Sequence, residues 1–148
     1  MRTIYRDIVG AFIFSSDGKM LLGKSSRKTY EGTWIIPGGG VDNGETKLQA
    51  LKRELLEELD LDISTAKVRQ IDIDLHGESK KLLKDTNEEV LGKYTFFNFV
   101  IDFDKKAEQI ELKELDDFVN PTWFDISELS SLPLPPPSIT SLKKLGLL

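Results

Sequence analysis

The chain reads as an α/β domain, a mixed sheet with flanking helices, and three segments carry that reading. Ile8–Phe14 is an unbroken apolar run of the length expected for a strand buried on both faces. Tyr94–Phe103 is the strongest strand signal, and its residues Phe97, Phe99, Ile101 and Phe103 lie two apart, on one face. Between these strands, Leu48, Leu51, Leu55 and Leu59 recur at helical spacing behind a Thr46–Gln49 capping pair, which specifies an amphipathic helix.

The remaining elements follow from turn chemistry and pattern. Asp17–Gly18 is a hairpin turn, with Met20–Leu22 as its return strand. Polar Ser25–Thr33 reads as a loop, and Trp34–Ile36 as a brief strand stopped by Pro37 and three glycines. Val68–Leu75 alternates and is expected to be a half-exposed strand, whereas polar Gly77–Glu89 reads as a mobile loop near a ligand. Gln109–Leu112 and Pro121–Phe124 are further strand candidates, and Asp125–Glu128 a capped helix start. The prolines at 135–137 force an extended segment, after which Ser138 is expected to cap a last short helix ending at Gly146. No repeat or linker interrupts the chain, so one domain spanning residues 1–148 is expected.

Composition narrows function by exclusion. The absence of cysteine removes disulfides, thiolate metal sites and thiol nucleophiles. A net charge of −5 disfavours nucleic acid as a partner but leaves room for a small anionic substrate, since a bound metal reverses the sign locally. No apolar run has the length of a signal peptide core or a membrane span, so a cytoplasmic protein without membrane partners is expected.

The densest chemistry lies between Gly39 and Leu61. Glu54, Glu57 and Glu58 are three and four apart, so one side of the helix carries three carboxylates. They repel one another, and a hard divalent cation that prefers carboxylate oxygens offsets that repulsion. On a helical wheel Glu58, Glu54 and Glu57 fall successively further round from the leucine stripe. An acidic solvated face is the alternative, and the flanking residues decide against it. Gly39, Glu45, Arg53, Glu54, Leu55, Glu57, Glu58 and Leu61 stand at the spacing of the Nudix box, and Trp34–Gly40 resembles the lead-in usual in that family. Matching the five ionic positions at a given register by chance is roughly a one-in-a-million event. Asp60 departs from the box glycine, which stands where a helix ends in a left-handed residue. Asp visits that conformation tolerably, so the departure bears on stability and costs no ligand.

Resemblance to the Nudix hydrolases implies an α/β/α sandwich and cleavage of a diphosphate linkage in a nucleotide, with magnesium or manganese as cofactor. By the same resemblance Glu54, Glu57, Glu58 and the Gly38 carbonyl hold metal, and Arg53 orients a carboxylate. Glu45 closes the site or accepts a proton, and a downstream Glu, here assigned to Glu114, acts as base or extra ligand. His76, the only histidine, is the alternative base and reads better as an incidental loop residue. Outside the box, Arg27 and Lys28 are candidates for phosphate contact, and Tyr30 and Phe96 for stacking on a base. The leading expectation is a pyrophosphohydrolase of small nucleoside triphosphates. A nucleoside diphosphate-sugar hydrolase is the alternative, and a non-catalytic nucleotide-binding module comes third. The isomerase branch of the family relies on a cysteine, which this chain lacks.

Overall fold

Val9, Ala11, Phe12 and Ile13 are fully shielded from solvent, and around this apolar run the computed structural model builds its sheet. It describes residues 1–25, 31–115 and 118–148. The run lies in β1 (Arg2–Phe14), which pairs in parallel along its whole length with β7 (Glu89–Asp102). All other pairings are antiparallel, so the sheet is mixed. Its central order is β3 (Trp34–Ile35), β2 (Lys19–Ser25), β1, β7 and β5 (Lys67–Gln70). Off this path, β4 (Gly38–Gly40) pairs β1, β6 (Leu75–Leu82) pairs β7, and β8 (Phe118–Asp125) pairs β2.

Two apolar clusters, one per sheet face, make the layers. On the first face α1 (Lys47–Leu59) sets Leu51, Leu55 and Leu59 against Val9, Ile13, Phe99 and Ile101. On the second, Leu129 from a 3₁₀ turn and Leu142 from α2 (Pro136–Lys144) pack on Phe12, Met20, Leu22 and Val100. Alternation along β1 and β7 sends successive side chains to opposite clusters, which is why both strands read as continuous apolar runs. Among the described residues no helix is long and apolar enough to cross a membrane.

Several local expectations need correction. The alternating segment from Val68 is a strand only as far as Gln70; the Ile71 amide makes one more bond, to the Asn98 carbonyl of β7, and the Ile73 amide then bonds back to Ile71 as the chain turns away. Gly77–Glu89 contains no free loop of that length, because residues 75–82 form β6 and only the turn beyond it is irregular. Gln109–Leu112 is not a strand: Ala107–Gln109 is a 3₁₀ turn. Asp125–Glu128 opens a 3₁₀ helix (Ile126–Ser131), and the last helix begins at Pro136 with Pro135 as cap, so Ser138 lies inside it. Within α1, Leu48 is exposed and Ala50 takes its place in the buried stripe.

Candidate active site

The helix that carries the carboxylates is fixed at both ends by its own sequence. The Thr46 hydroxyl accepts the Gln49 amide at 3.1 Å, and the Gln49 side chain accepts the Thr46 amide at 2.8 Å. At the other end Asp60 adopts the left-handed conformation (φ 50°, ψ 36°) that the box glycine would supply. The amides of Asp60 and Leu61 close onto the carbonyls of Leu56 and Leu55.

Between these caps the wheel order holds. Glu58 is buried, Glu54 keeps 15% of its side chain exposed and Glu57 keeps 54%. The Glu58 carboxylate accepts the Gly38 amide at 3.0 Å, tying α1 to β4. Gly39 on β4 lies directly against the Glu54 carboxylate: a Cβ there would stand 2.4 Å from its carboxyl carbon. At Gly38 a Cβ would fall 2.0 Å from the Val9 carbonyl oxygen, so the register of β4 against β1 also excludes a side chain.

Arg53 is the hub. Its Nε and Nη2 meet the two Glu45 oxygens at 2.8 and 3.0 Å, and Nη1 reaches Glu54 at 2.9 Å and Glu57 at 3.3 Å. Nη2 also donates to the Gly40 carbonyl at 2.8 Å and lies 3.4 Å from Asp42. A planar guanidinium carries five N–H donors in a fixed fork, where a lysine ammonium carries three, so it can serve all of these acceptors at once. Hydrogen bonding from Arg53 and from the Asp42 amide holds the Glu45 carboxyl below its ordinary range. Glu54 moves the opposite way: burial raises it, and the charges of Glu57 and Asp42 add to that against the Arg53 contact. Burial and neighbouring negative charge of this kind are what a cation relieves.

The donor set fits a hard divalent cation by its chemistry, with three carboxylates on one helix flank beside a glycine strand rich in carbonyls. Among the described residues no three acidic side chains already converge on a single point. Arg53 holds Glu54 and Glu57, and the Gly38 amide holds Glu58, so one cation could meet all three only after these side chains turned.

Beside this cluster opens a cleft of about 440 Å³ whose walls include Arg6, Glu58, Lys81, Tyr94, Phe96 and Asn98, with β4 at its base. Phe96, the described candidate for stacking on a base, lines this same hollow. Arg27, Lys28 and Tyr30 lie outside the described residues. Glu114 is exposed, and its carboxylate accepts the Asn120 amide; no contact among the described residues joins it to the helix carboxylates. His76 lies on β6, its ring bonded to Asp74 at 2.6 Å, and does not line the cleft. Sequence reasoning missed Arg6, whose guanidinium packs on Gly40, because 34 positions separate two residues that only strand pairing brings together. It missed Tyr94 and Asn98 for the same reason, and Asp42 because its loop before α1 carries no periodic signal that would point it at Arg53. A second hollow of about 350 Å³, by Gln70–Asp74 and Phe97, contains none of the box residues.

The family model of the NUDIX domain matches residues 4–145. The chain belongs to the Nudix family. An RNA pyrophosphohydrolase from Hydrogenovibrio crunogenus is 32% identical over 125 residues, covering 82% of this chain and 74% of that protein. The RNA pyrophosphohydrolase of Helicobacter pylori strain G27 is 47% identical over 57 residues, a match spanning 37% of each chain. Among solved structures, a MutT protein from work on Aliivibrio salmonicida and Vibrio cholerae superposes with a TM-score of 0.65 at 21% identity, covering 95% of this chain and 96% of the other. The Nudix hydrolase RenU of M. smegmatis gives 0.67 at 19%, covering 96% and 84%. The Nudix fold is thereby shown, and hydrolysis of a diphosphate linkage is the chemistry of this enzyme. Nudix hydrolases generally use divalent metal ions.

Proposed function

We propose that this Nudix enzyme is a magnesium- or manganese-dependent pyrophosphohydrolase of small nucleoside triphosphates. The observation that carries the reading is the continuity of the cleft. One hollow runs from Glu58 and the Gly38–Gly40 strand to Tyr94 and Phe96, so a phosphate chain suits one end and a flat base the other. Glu54, Glu57, Glu58 and the Gly38 carbonyl are the residues that would hold metal. A bound cation supplies Lewis-acid neutralisation of phosphate oxygens and lowers the pKa of a water.

The chain's own residues do the rest. Arg53 orients Glu54 and Glu57, and Glu45 holds Arg53. The depressed carboxyl of Glu45, bonded through both oxygens, suits that orienting task better than proton acceptance. Arg6 has no ion pair among the described residues and lines the cleft, which suits contact with a phosphate; Phe96 offers a face to the base. Glu114 can accept a proton from water only after leaving the Asn120 amide.

A second substrate, the 5′-triphosphate end of RNA, is favoured by the names of the curated relatives and opposed by the net charge of −5. Hydrolysis in oxygen-18 water tests both. Nucleoside triphosphates, 5′-triphosphorylated oligonucleotides and nucleotide sugars would be compared by rate and by mass spectrometry of products. Expected are a nucleoside monophosphate and pyrophosphate, formed fastest from the free triphosphates. Faster turnover of oligonucleotides would move the assignment to RNA ends, and faster turnover of nucleotide sugars would reverse the ranking.

A further inference from the structure

We propose that Asn98 reads the edge of the nucleobase, an inference that rests on the nucleotide reading above. Asn98 sits mid-strand in β7, within Phe96–Phe97–Asn98–Phe99–Val100, where a short polar amide is a poor strand former. The residue as a whole is only 6% exposed, and its carboxamide, which shows no hydrogen bond among the described residues, is not sealed from solvent but opens to the cleft. An amide set in a mostly apolar strand with its polar atoms open only to a cleft keeps its donor and acceptor available to whatever enters there. The side chain borders the cleft, and so it faces the space where a substrate lies.

The surroundings make room for it. Gly10 pairs with Asn98 across β1 and β7, and a Cβ at Gly10 would stand 2.8 Å from the Asn98 Oδ1. The glycine therefore leaves the amide a berth within an otherwise apolar strand. Phe96 lies two residues away on the same face, roughly 7 Å along the strand. A base resting on the Phe96 ring thus has an amide at its rim. A carboxamide presents a donor and an acceptor side by side, matching the adjacent acceptor and donor on the hydrogen-bonding edge of a nucleobase. Neither a phosphate chain nor a bare sugar phosphate carries such an edge.

The test separates this proposal from the nucleotide reading itself. Binding of the four nucleoside triphosphates and of inorganic tripolyphosphate would be measured by protein NMR in magnesium-free buffer, so that no turnover occurs. The wild type is expected to bind its best nucleoside triphosphate at least tenfold more tightly than tripolyphosphate. Asn98→Leu, which keeps volume and removes both hydrogen-bonding groups, should erase most of that preference and leave tripolyphosphate binding unchanged. In the wild type, the Asn98 side-chain NH2 signals should shift on adding the nucleotide but not tripolyphosphate, a readout that needs no variant to fold. A wild type without preference for nucleotides would sink the nucleotide reading and this one with it. A preference that survives in Asn98→Leu, or NH2 signals that stay still while the nucleotide binds, would overturn the role of Asn98 alone.

Discussion

Glu57 and Glu58 differ in what holds them, and that separates two effects a substitution could have. Glu58 is buried on the Gly38 amide, whereas Glu57 is half exposed and, among the described residues, bonded only to Arg53. Glutamine keeps the volume and an acceptor oxygen while removing the charge. Glu57→Gln and Glu58→Gln should each lower turnover by about a hundredfold or more, the scale of losing charge stabilisation at a phosphoryl centre. Circular dichroism should stay unchanged in both. Full activity of Glu57→Gln would remove it from the ligand set. Gly39 allows a finer test, because the atom a Cβ would strike belongs to the end of the Glu54 side chain and not to the backbone. Gly39→Ala should therefore displace Glu54 and cut turnover well out of proportion to any loss of stability in urea; equal losses would mean that β4 itself had moved.

Elements end where a single residue lets them. Asp60 holds the left-handed position after α1 at a backbone cost that glycine avoids, and its contact with Lys113 is long, 3.7 Å, and exposed. Asp60→Gly should then stabilise the fold by about 0.5–1 kcal/mol, measured as a higher urea midpoint at unchanged slope. A loss of stability would show that the Lys113 contact outweighs the strain. Asp17, in the β1–β2 turn, ties that hairpin to the 3₁₀ turn at Ala107. The Ser15 hydroxyl first, then the Ala107 amide, hold its carboxyl below the ordinary value. A carboxyl depressed in the native state adds stability above its unfolded pKa of about 3.9, and that contribution disappears as pH falls through the native value. Wild type should exceed Asp17→Asn in thermal midpoint by a constant margin above about pH 5, and the two should converge under more acidic conditions. A margin that persists under strong acid would mean the turn depends on shape and not on charge.

Neither apolar cluster involves the carboxylate face, so the whole fold does not need the metal. Chelator should abolish hydrolysis while leaving the chain folded. Manganese at a hundred times its dissociation constant should raise native stability by about 2.7 kcal/mol through linkage. The double variant Glu57→Gln/Glu58→Gln should lose that increment. A chain that unfolds in chelator would make the site structural, and an undiminished increment in the double variant would place the metal elsewhere.

What the sequence determined by itself is what a short stretch of chain can encode. Thr46, Gln49, the leucines at 51, 55 and 59, and Asp60 specify a helix from local rules, and helical spacing alone puts Glu54, Glu57 and Glu58 on one flank. The buried runs of β1 and β7 were legible because both faces meet an apolar layer, so no alternation was needed to reveal them. β6 was misread as a loop because its inward residues, Gly77, Ser79 and Lys81, face the cleft and not a core, which erases the apolar signal of a strand. Val68–Leu75 erred the other way: Ile71 is buried and keeps one bond to the Asn98 carbonyl on β7, but the chain turns after it, so its alternation outlasts the strand. Only the tertiary structure placed Arg6 on Gly40, carried Arg53 to Asp42 and Gly40 as well as to the box glutamates, and opened the cleft beside Asn98. Those contacts depend on strand pairing between distant positions, and pairing is settled by how the two apolar layers close on the sheet rather than by any window of sequence.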